Sequence, residues 1–287
     1  MAMLKDLSYN YITTNNINLH YVTQGEGPLM LMLHGFPEFW YSWRKQIPEF
    51  AKDYKVVALD LRGYNDSDKP SKQSAYVMAE FIKDIKGVIQ GLGYDKCVLV
   101  GHDWGGAIAW NFAYTHPEML DRLIILNLPH PARFAEGLRT PQQLLRSSYI
   151  FFFQLPWLPE WLIQAGDYQP LEAAFKGMAV HKDAFTAADI QTYKQAVAKP
   201  GALTAMLNYY RNAFQQGLFK PDWGVLEVPT LMIWGEEDTA LGKELTYGTE
   251  QYVRDFQIKY IPDCSHWVQQ ERPQLVNQYM REFLAKK

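Results

Sequence analysis

Cys97-Val98-Leu99-Val100-Gly101-His102-Asp103-Trp104-Gly105-Gly106 decides the fold. A short apolar run ending in Gly-x-Asp-x-Gly-Gly reads as a buried strand turning sharply into a helix, with glycine where backbones must approach closely. Asp103 stands at the apex. Where a serine occupies such an elbow, the turn lifts its hydroxyl above a sheet to meet substrate. A carboxylate in that place is already ionised at neutral pH and needs no base to activate it. It is poorly suited to acyl transfer, because the anhydride it would form offers little gain. It suits displacement at an sp3 carbon, which leaves an alkyl ester for water to hydrolyse. A helix starting near Trp104 directs its amides at the carboxylate and keeps it anionic. The plainer reading is that Asp103 only caps that helix.

The flanking sequence repeats the strand-helix alternation. Tyr9 to Thr13 and Ile17 to Thr23 flank the turn pair Asn15-Asn16 and read as an antiparallel hairpin. Pro28 to Leu33, Lys55 to Leu59 and Leu120 to Asn127 read as strands, separated by helices at Trp43 to Ala51 and along the apolar face Met78, Phe81, Ile82, Ile85, Val88, Ile89 and Leu92. A helix from Gly105 to Tyr114 follows the elbow. The alternation implies a mainly parallel sheet with helices on both faces.

After Pro129 the pattern changes. From His130 to Asp222 the text is helical and aromatic, with segments at Leu144 to Phe153, Pro156 to Gln164, Leu171 to Phe175, Ala187 to Ala198 and Leu203 to Phe214. Strands return at Pro229 to Trp234 and Phe256 to Ile261, with helices at Gly242 to Tyr252 and Pro273 to Ala285. The expected organisation is an α/β core of residues 1–129 and 223–287, with a helical lid, residues 130–222, inserted after the sixth strand.

Composition narrows the function. With 287 residues the chain can bury a large core, and a net charge of -3 without a long basic run excludes nucleic acid and anionic membranes as natural partners. The 18 Tyr, 15 Phe and 9 Trp exceed what a core of this size needs and suggest an apolar site. Cys97 and Cys264 are too few for a disulfide framework, which implies a reducing compartment. The first residues carry no leader pattern and no stretch reaches membrane-spanning length, so a soluble cytoplasmic protein is expected.

An ester on Asp103 needs water activated by a base, and the base needs an orienting acid. In elbow architectures the order along the chain is nucleophile, acid, histidine. Asp238, in Trp234-Gly235-Glu236-Glu237-Asp238, and His266, in Asp263-Cys264-Ser265-His266-Trp267, follow the last two strands in that order. Glu236 and Glu237 are the rivals to Asp238. The ester oxygen also needs preorganised donors, for which the amides of Trp104 and of Phe36, in His34-Gly35-Phe36-Pro37, are placed. His34 and His102 read as structural hydrogen-bonding groups. Glu38 is either an exposed carboxylate or an orienter of the hydrolytic water or of His266.

These motifs together, His34-Gly35-Phe36-Pro37-Glu38-Phe39-Trp40-Tyr41-Ser42-Trp43-Arg44, Asp60-Leu61-Arg62-Gly63-Tyr64, the elbow, and Ser265-His266-Trp267, resemble soluble epoxide hydrolases of the α/β-hydrolase fold across nearly the whole chain. The resemblance implies that fold, with an eight-stranded, mostly parallel sheet flanked by helices and a helical cap. It also implies carboxylate attack on an epoxide while two cap tyrosines donate protons to its oxygen. One family tyrosine precedes a Phe-Gln pair, as Tyr149 precedes Phe153-Gln154; the other precedes Arg-Asn, as Tyr210 precedes Arg211-Asn212. Tyr209 competes with Tyr210 for the second place.

Phe36, Trp104, Phe151, Phe152 and Trp267 are the expected apolar contacts to substrate, although the stretch Phe151 to Leu162 can equally pack the lid onto the core. The expected partners are a small hydrophobic epoxide and water, with no metal, no cofactor and no stable membrane association, in a monomer or a homodimer. A haloalkane dehalogenase would use the same Asp103 and His266, but Phe36 stands where many dehalogenases carry Asn, and Asn127-Leu128-Pro129 lacks the acid many place there. The absence of Ser or Cys at the apex disfavours an esterase. A non-catalytic binding protein has little use for the full set of groups.

Overall fold

The computed structural model describes residues 6–213 and 223–286. Its eight strands are β1 (Ser8–Thr14), β2 (Ile17–Gln24), β3 (Leu29–Leu33), β4 (Lys55–Leu59), β5 (Cys97–His102), β6 (Leu120–Leu126), β7 (Thr230–Gly235) and β8 (Phe256–Ile261). They form one sheet in the order β1-β2-β4-β3-β5-β6-β7-β8. β1, β2 and β4 pair antiparallel, and every later neighbour pairs parallel. Asn15 and Asn16 both take positive φ, 48° and 60°, as a two-residue turn between right-twisted strands requires.

β3, β5 and β7 are buried along their whole length, so their side chains face covering layers on both sides. This is why they read as unbroken apolar runs rather than alternating ones. The covering helices of the core are α1 (Ile47–Phe50), α2 (Met78–Gly91), α3 (Trp104–Thr115), α10 (Val268–Glu271) and α11 (Pro273–Leu284). α2 and α3 pack on each other and on β1, β5 and β6, whereas α1, α10 and α11 pack on β4 and β7.

Between β6 and β7 lie α4 (Pro131–Gly137), α5 (Pro141–Arg146), α6 (Ser148–Phe152), α7 (Leu158–Met178), α8 (Ala187–Val197) and α9 (Ala202–Ala213), with no strand among the described residues of this segment. Phe214, the expected end of the last lid helix, and the lid's expected boundary at residue 222 lie outside the described residues.

Several expected helices are more broken than their periodicity predicts. Trp43 to Ala51 divides into a 3₁₀ turn, Trp40–Trp43, and the short α1, because Pro48 in the first turn of α1 has no N–H to continue a helix from before it. Leu144 to Phe153 divides at Ser147 into α5 and α6. Gly242 to Tyr252 is two 3₁₀ turns, Lys243–Thr246 and Thr249–Gln251, parted by Gly248 at φ 81°. α7 is interrupted at Ala165, Gly166, Asp167 and Tyr168, the last three left-handed, which is where one expected segment ends, at Gln164, before the next starts, at Leu171. α4 and α10 were not expected. No helix of the described residues is long and apolar enough to cross a membrane.

Candidate active site

The site begins at the tip of β5, held between β3 and β6 with Leu99 opposite Leu31 and Leu123. Asp103 adopts φ 50° and ψ -122°, a costly conformation for a residue with a side chain, which persists only where the surroundings over-determine it. Here they do. A Cβ on Gly101 would stand 2.4 Å from the Gly105 carbonyl oxygen, and one on Gly105 would stand 2.2 Å from that of Leu33. α3 therefore leaves the strand at backbone contact.

Asp103 stands at the N-cap position of α3, but its side chain makes no capping hydrogen bond. Its Oδ1 instead accepts the Phe36 N–H at 2.7 Å. That approach also needs Gly35, where a Cβ would lie 2.3 Å from the Asp103 Cβ. Trp104, the other expected donor, is the first residue of α3.

His266, in the loop after β8, lies between two carboxylates. Its Nδ1 is 2.7 Å from Asp238 Oδ2 and its Nε2 is 3.6 Å from Asp103 Oδ2. Asp238 also accepts Asn127 Nδ2 at 2.8 Å and the Ala240 and Leu241 amides at 2.8 and 2.9 Å. Glu236 is instead paired with Lys243.

Burial works against ionisation of Asp103 and Asp238, but the His266 imidazole and their hydrogen bonds outweigh it, and both carboxyls sit below the usual range. Burial likewise opposes the imidazolium of His266, and the facing Asp238 and Asp103 override it, holding the ring well above the usual imidazole range.

Glu38 is fully buried rather than exposed. It accepts from Ser42 Oγ at 3.0 Å and from Gln270 Nε2, and its Oε2 faces His102 Nδ1 at 2.9 Å. His102 Nε2–H donates to the His266 carbonyl at 2.9 Å, so Glu38 reaches the His266 loop through one ring. His34 accepts the Leu61 N–H at Nε2, 3.1 Å, and faces its neighbour's carbonyl with Nδ1, 2.9 Å; burial lowers its pKa.

The helices between β6 and β7 bring Tyr149, on α6, and Tyr210, on α9, over Asp103. Their rings meet edge to face with centroids 5.9 Å apart. Burial, with Asp103 adding to it, pushes both phenols above the usual range. The Trp104 and Tyr210 rings also meet edge to face, with centroids 5.1 Å apart. Tyr209 points the other way, donating to the Arg62 carbonyl at 2.6 Å and stacking on Phe81.

Asp103, Tyr149 and Tyr210 line two adjoining spaces. The larger, about 350 Å³, is walled mainly by Phe36, Phe153, Leu171, Met178 and Trp267, with His266 at its edge. The smaller, about 60 Å³, is walled by Trp104, Leu128, Phe134, Leu138 and Ile150. Phe151 and Phe152 line neither space. The inward face of α6 carries Tyr149, Ile150 and, one turn on, Phe153, and a run of three phenylalanines hides that phase from the sequence. Asn127 was noted only for lacking a carboxylate, and its amide proves to bind the acid.

His20, Asp60 and Asp66 form a group whose ligating atoms lie within 4.8 Å of one another. His20 and Asp60 are already bonded to each other at 2.6 Å, and Asp60 also accepts from Trp40 N and Asn65. That group lies away from the residues lining both spaces.

Residues 28–273 match the α/β hydrolase fold family. Epoxide hydrolase 4 of Mus musculus is 45% identical over 284 residues, covering 96% of this chain and 79% of the mouse protein. Epoxide hydrolase 3 of Xenopus tropicalis is also 45% identical, covering 96% and 77% of the two chains. The crystal structure of Bacillus megaterium epoxide hydrolase in complex with an inhibitor superposes with a TM-score of 0.89 at 40% identity, covering 96% of this chain and all of that one. The chain belongs to the epoxide hydrolases of the α/β hydrolase fold.

Proposed function

We propose that this protein hydrolyses small hydrophobic epoxides to vicinal diols through an ester on Asp103. The observation that carries the reading is the convergence of Asp103, Tyr149 and Tyr210 on one apolar space, with His266 and Asp238 in line behind the carboxylate. In the first half-reaction an Asp103 oxygen attacks an epoxide carbon and the C–O bond breaks. The departing oxygen, a poor leaving group as an alkoxide, takes a proton from Tyr149 or Tyr210 while hydrogen-bonded by the other. Desolvated phenols stay protonated over the accessible pH range, which is the form a donor needs.

Esterification removes the negative charge facing His266 Nε2. The ring then loses one of the two carboxylates that hold its proton, which passes to the phenolate left by the first step. Neutral His266, oriented by Asp238, next takes a proton from water as that water attacks the ester carbonyl. The developing oxyanion faces the Phe36 and Trp104 amides. Collapse expels the second diol oxygen, which takes the proton of the hydroxyl that water brought to the ester carbon. One water-derived oxygen stays in the Asp103 carboxylate, with His266 again protonated. Residues 1–129 and 223–287 form the core that carries the ester chemistry, and residues 130–222 the cap that supplies the acid and the wall. Displacement of a halide, which leaves as a stable anion, has no need of the two phenols facing Asp103, and their presence favours the epoxide.

The test is the intact mass of His266→Gln after incubation with styrene oxide and, separately, with a bromoalkane, followed by peptide mapping. An adduct on Asp103 from the epoxide alone is expected, because removing the base strands the ester. An adduct from the bromoalkane alone moves the protein to dehalogenation. No adduct from either reagent, with a folded variant and an inactive wild type, removes the reading.

A further inference from the structure

Two phenols 61 positions apart in sequence must meet one oxygen atom, and neither segment carrying them is rigid on its own account. α6 is five residues long with no side-chain cap, far below the length at which a helix holds itself. The residues that follow each tyrosine supply the missing constraint. Gln154 Nε2 donates to the Ile150 carbonyl at 3.0 Å and to the carbonyl of Tyr210 itself at 2.9 Å, so one amide group joins the turn bearing Tyr149 to the backbone of Tyr210.

Arg211 answers from the other side. Its Nε donates to the Phe153 carbonyl at 3.1 Å and its terminal nitrogen to that of Leu155 at 2.9 Å, gripping the chain on both sides of Gln154. The same guanidinium forks onto Glu160 at 2.8 and 2.9 Å, which keeps its charge paired in a mostly buried place. Asn212 then ties α9 to the core, its Nδ2 within 2.8 Å of the Gln73 carbonyl and 3.0 Å of that of Tyr76. Every one of these bonds ends on a backbone carbonyl or on Glu160, and none ends on a group that meets substrate.

We infer that Gln154 and Arg211 are positioning residues, a reciprocal clasp that holds Tyr149 and Tyr210 at the spacing one epoxide oxygen requires. The inference rests on the reading of those tyrosines as proton donors. Gln154→Met keeps the length of the side chain and removes both donors; Arg211→Lys keeps the charge and removes the fork.

Rapid-quench mass spectrometry with styrene oxide separates formation of the Asp103 ester from its decay. Gln154→Met should slow formation by roughly 10- to 100-fold, the scale set by misplacement of about 1 Å, and leave decay unchanged. Arg211→Lys should slow formation by less. In a Tyr149→Phe/Tyr210→Phe background Gln154→Met should cause no further loss, because a residue that acts through the tyrosines has nothing left to act on. Should Gln154→Met fail to fold, Gln154→Glu, of the same shape, replaces it. Wild-type ester formation, an equal slowing of both steps, or an additive loss in the double-phenylalanine background overturns the clasp. If the Tyr149→Phe/Tyr210→Phe protein itself forms ester at the wild-type rate, the proton-donor reading falls and takes the clasp with it. If that protein is slow and Gln154→Met is not, only the clasp falls.

Discussion

The sheet-borne and cap-borne halves of the site are built by different means. Asp103, Asp238 and His266 follow the parallel strands β5, β7 and β8 of one sheet, and short bonds from backbone or from buried side chains fix each of them: the Phe36 amide on Asp103, Asn127 and two amides on Asp238, Asp238 on His266. Tyr149 and Tyr210 sit on helices packed over that sheet, with α6 a bare turn and α7 broken by three left-handed residues. The sheet half inherits its geometry from strand register. The cap half has to be tied into place by side chains.

This contrast can be broken from the sheet side first. Asp103→Ala should lower turnover by roughly 10⁶-fold, the loss seen when a covalent nucleophile is removed, and abolish the mass adduct with it. Activity near the wild type would mean that the strained apex carries no chemistry. On the cap side, Tyr149→Phe with Tyr210→Phe should slow ester formation by roughly 10²- to 10⁴-fold, the range of general acid catalysis, and leave ester decay untouched. A decay rate that fell in step would show the two halves acting as one unit.

The smallest effect is on stability and sharpens the picture of the sheet half. His266 is raised, so its contribution is complete below about pH 6.5 and is lost as pH climbs through its folded value. Asp103 and Asp238 are lowered, so theirs is complete above about pH 3.9 and is lost as pH falls through their folded values. The Tm of the wild type should therefore exceed that of His266→Gln most between about pH 4 and 6.5, and the gap should narrow on both sides. A gap that does not change with pH would mean that the three groups do not share charge.

The same contrast explains what the amino-acid sequence discloses. Strand ends recur at intervals that apolar runs mark, so the order Asp103, Asp238, His266 and the turn at Gly35-Phe36 can be read along the chain. Phe153 could not be told from Phe151 and Phe152, nor Tyr210 from Tyr209, because neighbouring aromatics leave the phase of a short or wholly buried helix undetermined. The Glu38, His102 and Gln270 cluster was hidden for another reason. Gln270 lies 232 positions from Glu38, and only the fold brings them together. The helix at Trp43 failed at Pro48, a signal that was present and outweighed by the apolar spacing around it.

Asn127 has a consequence beyond orienting an acid. It is the first residue past β6, where the chain departs for the cap, and it bonds the Gly235 amide at 2.9 Å and Asp238 at 2.8 Å, where the chain has come back. The exit and return points of the insertion are thus riveted to each other beneath it. A designer can treat everything between them as an exchangeable module, grafting foreign helices at this junction to change which molecules enter while Asp103, Asp238 and His266 below keep their alignment.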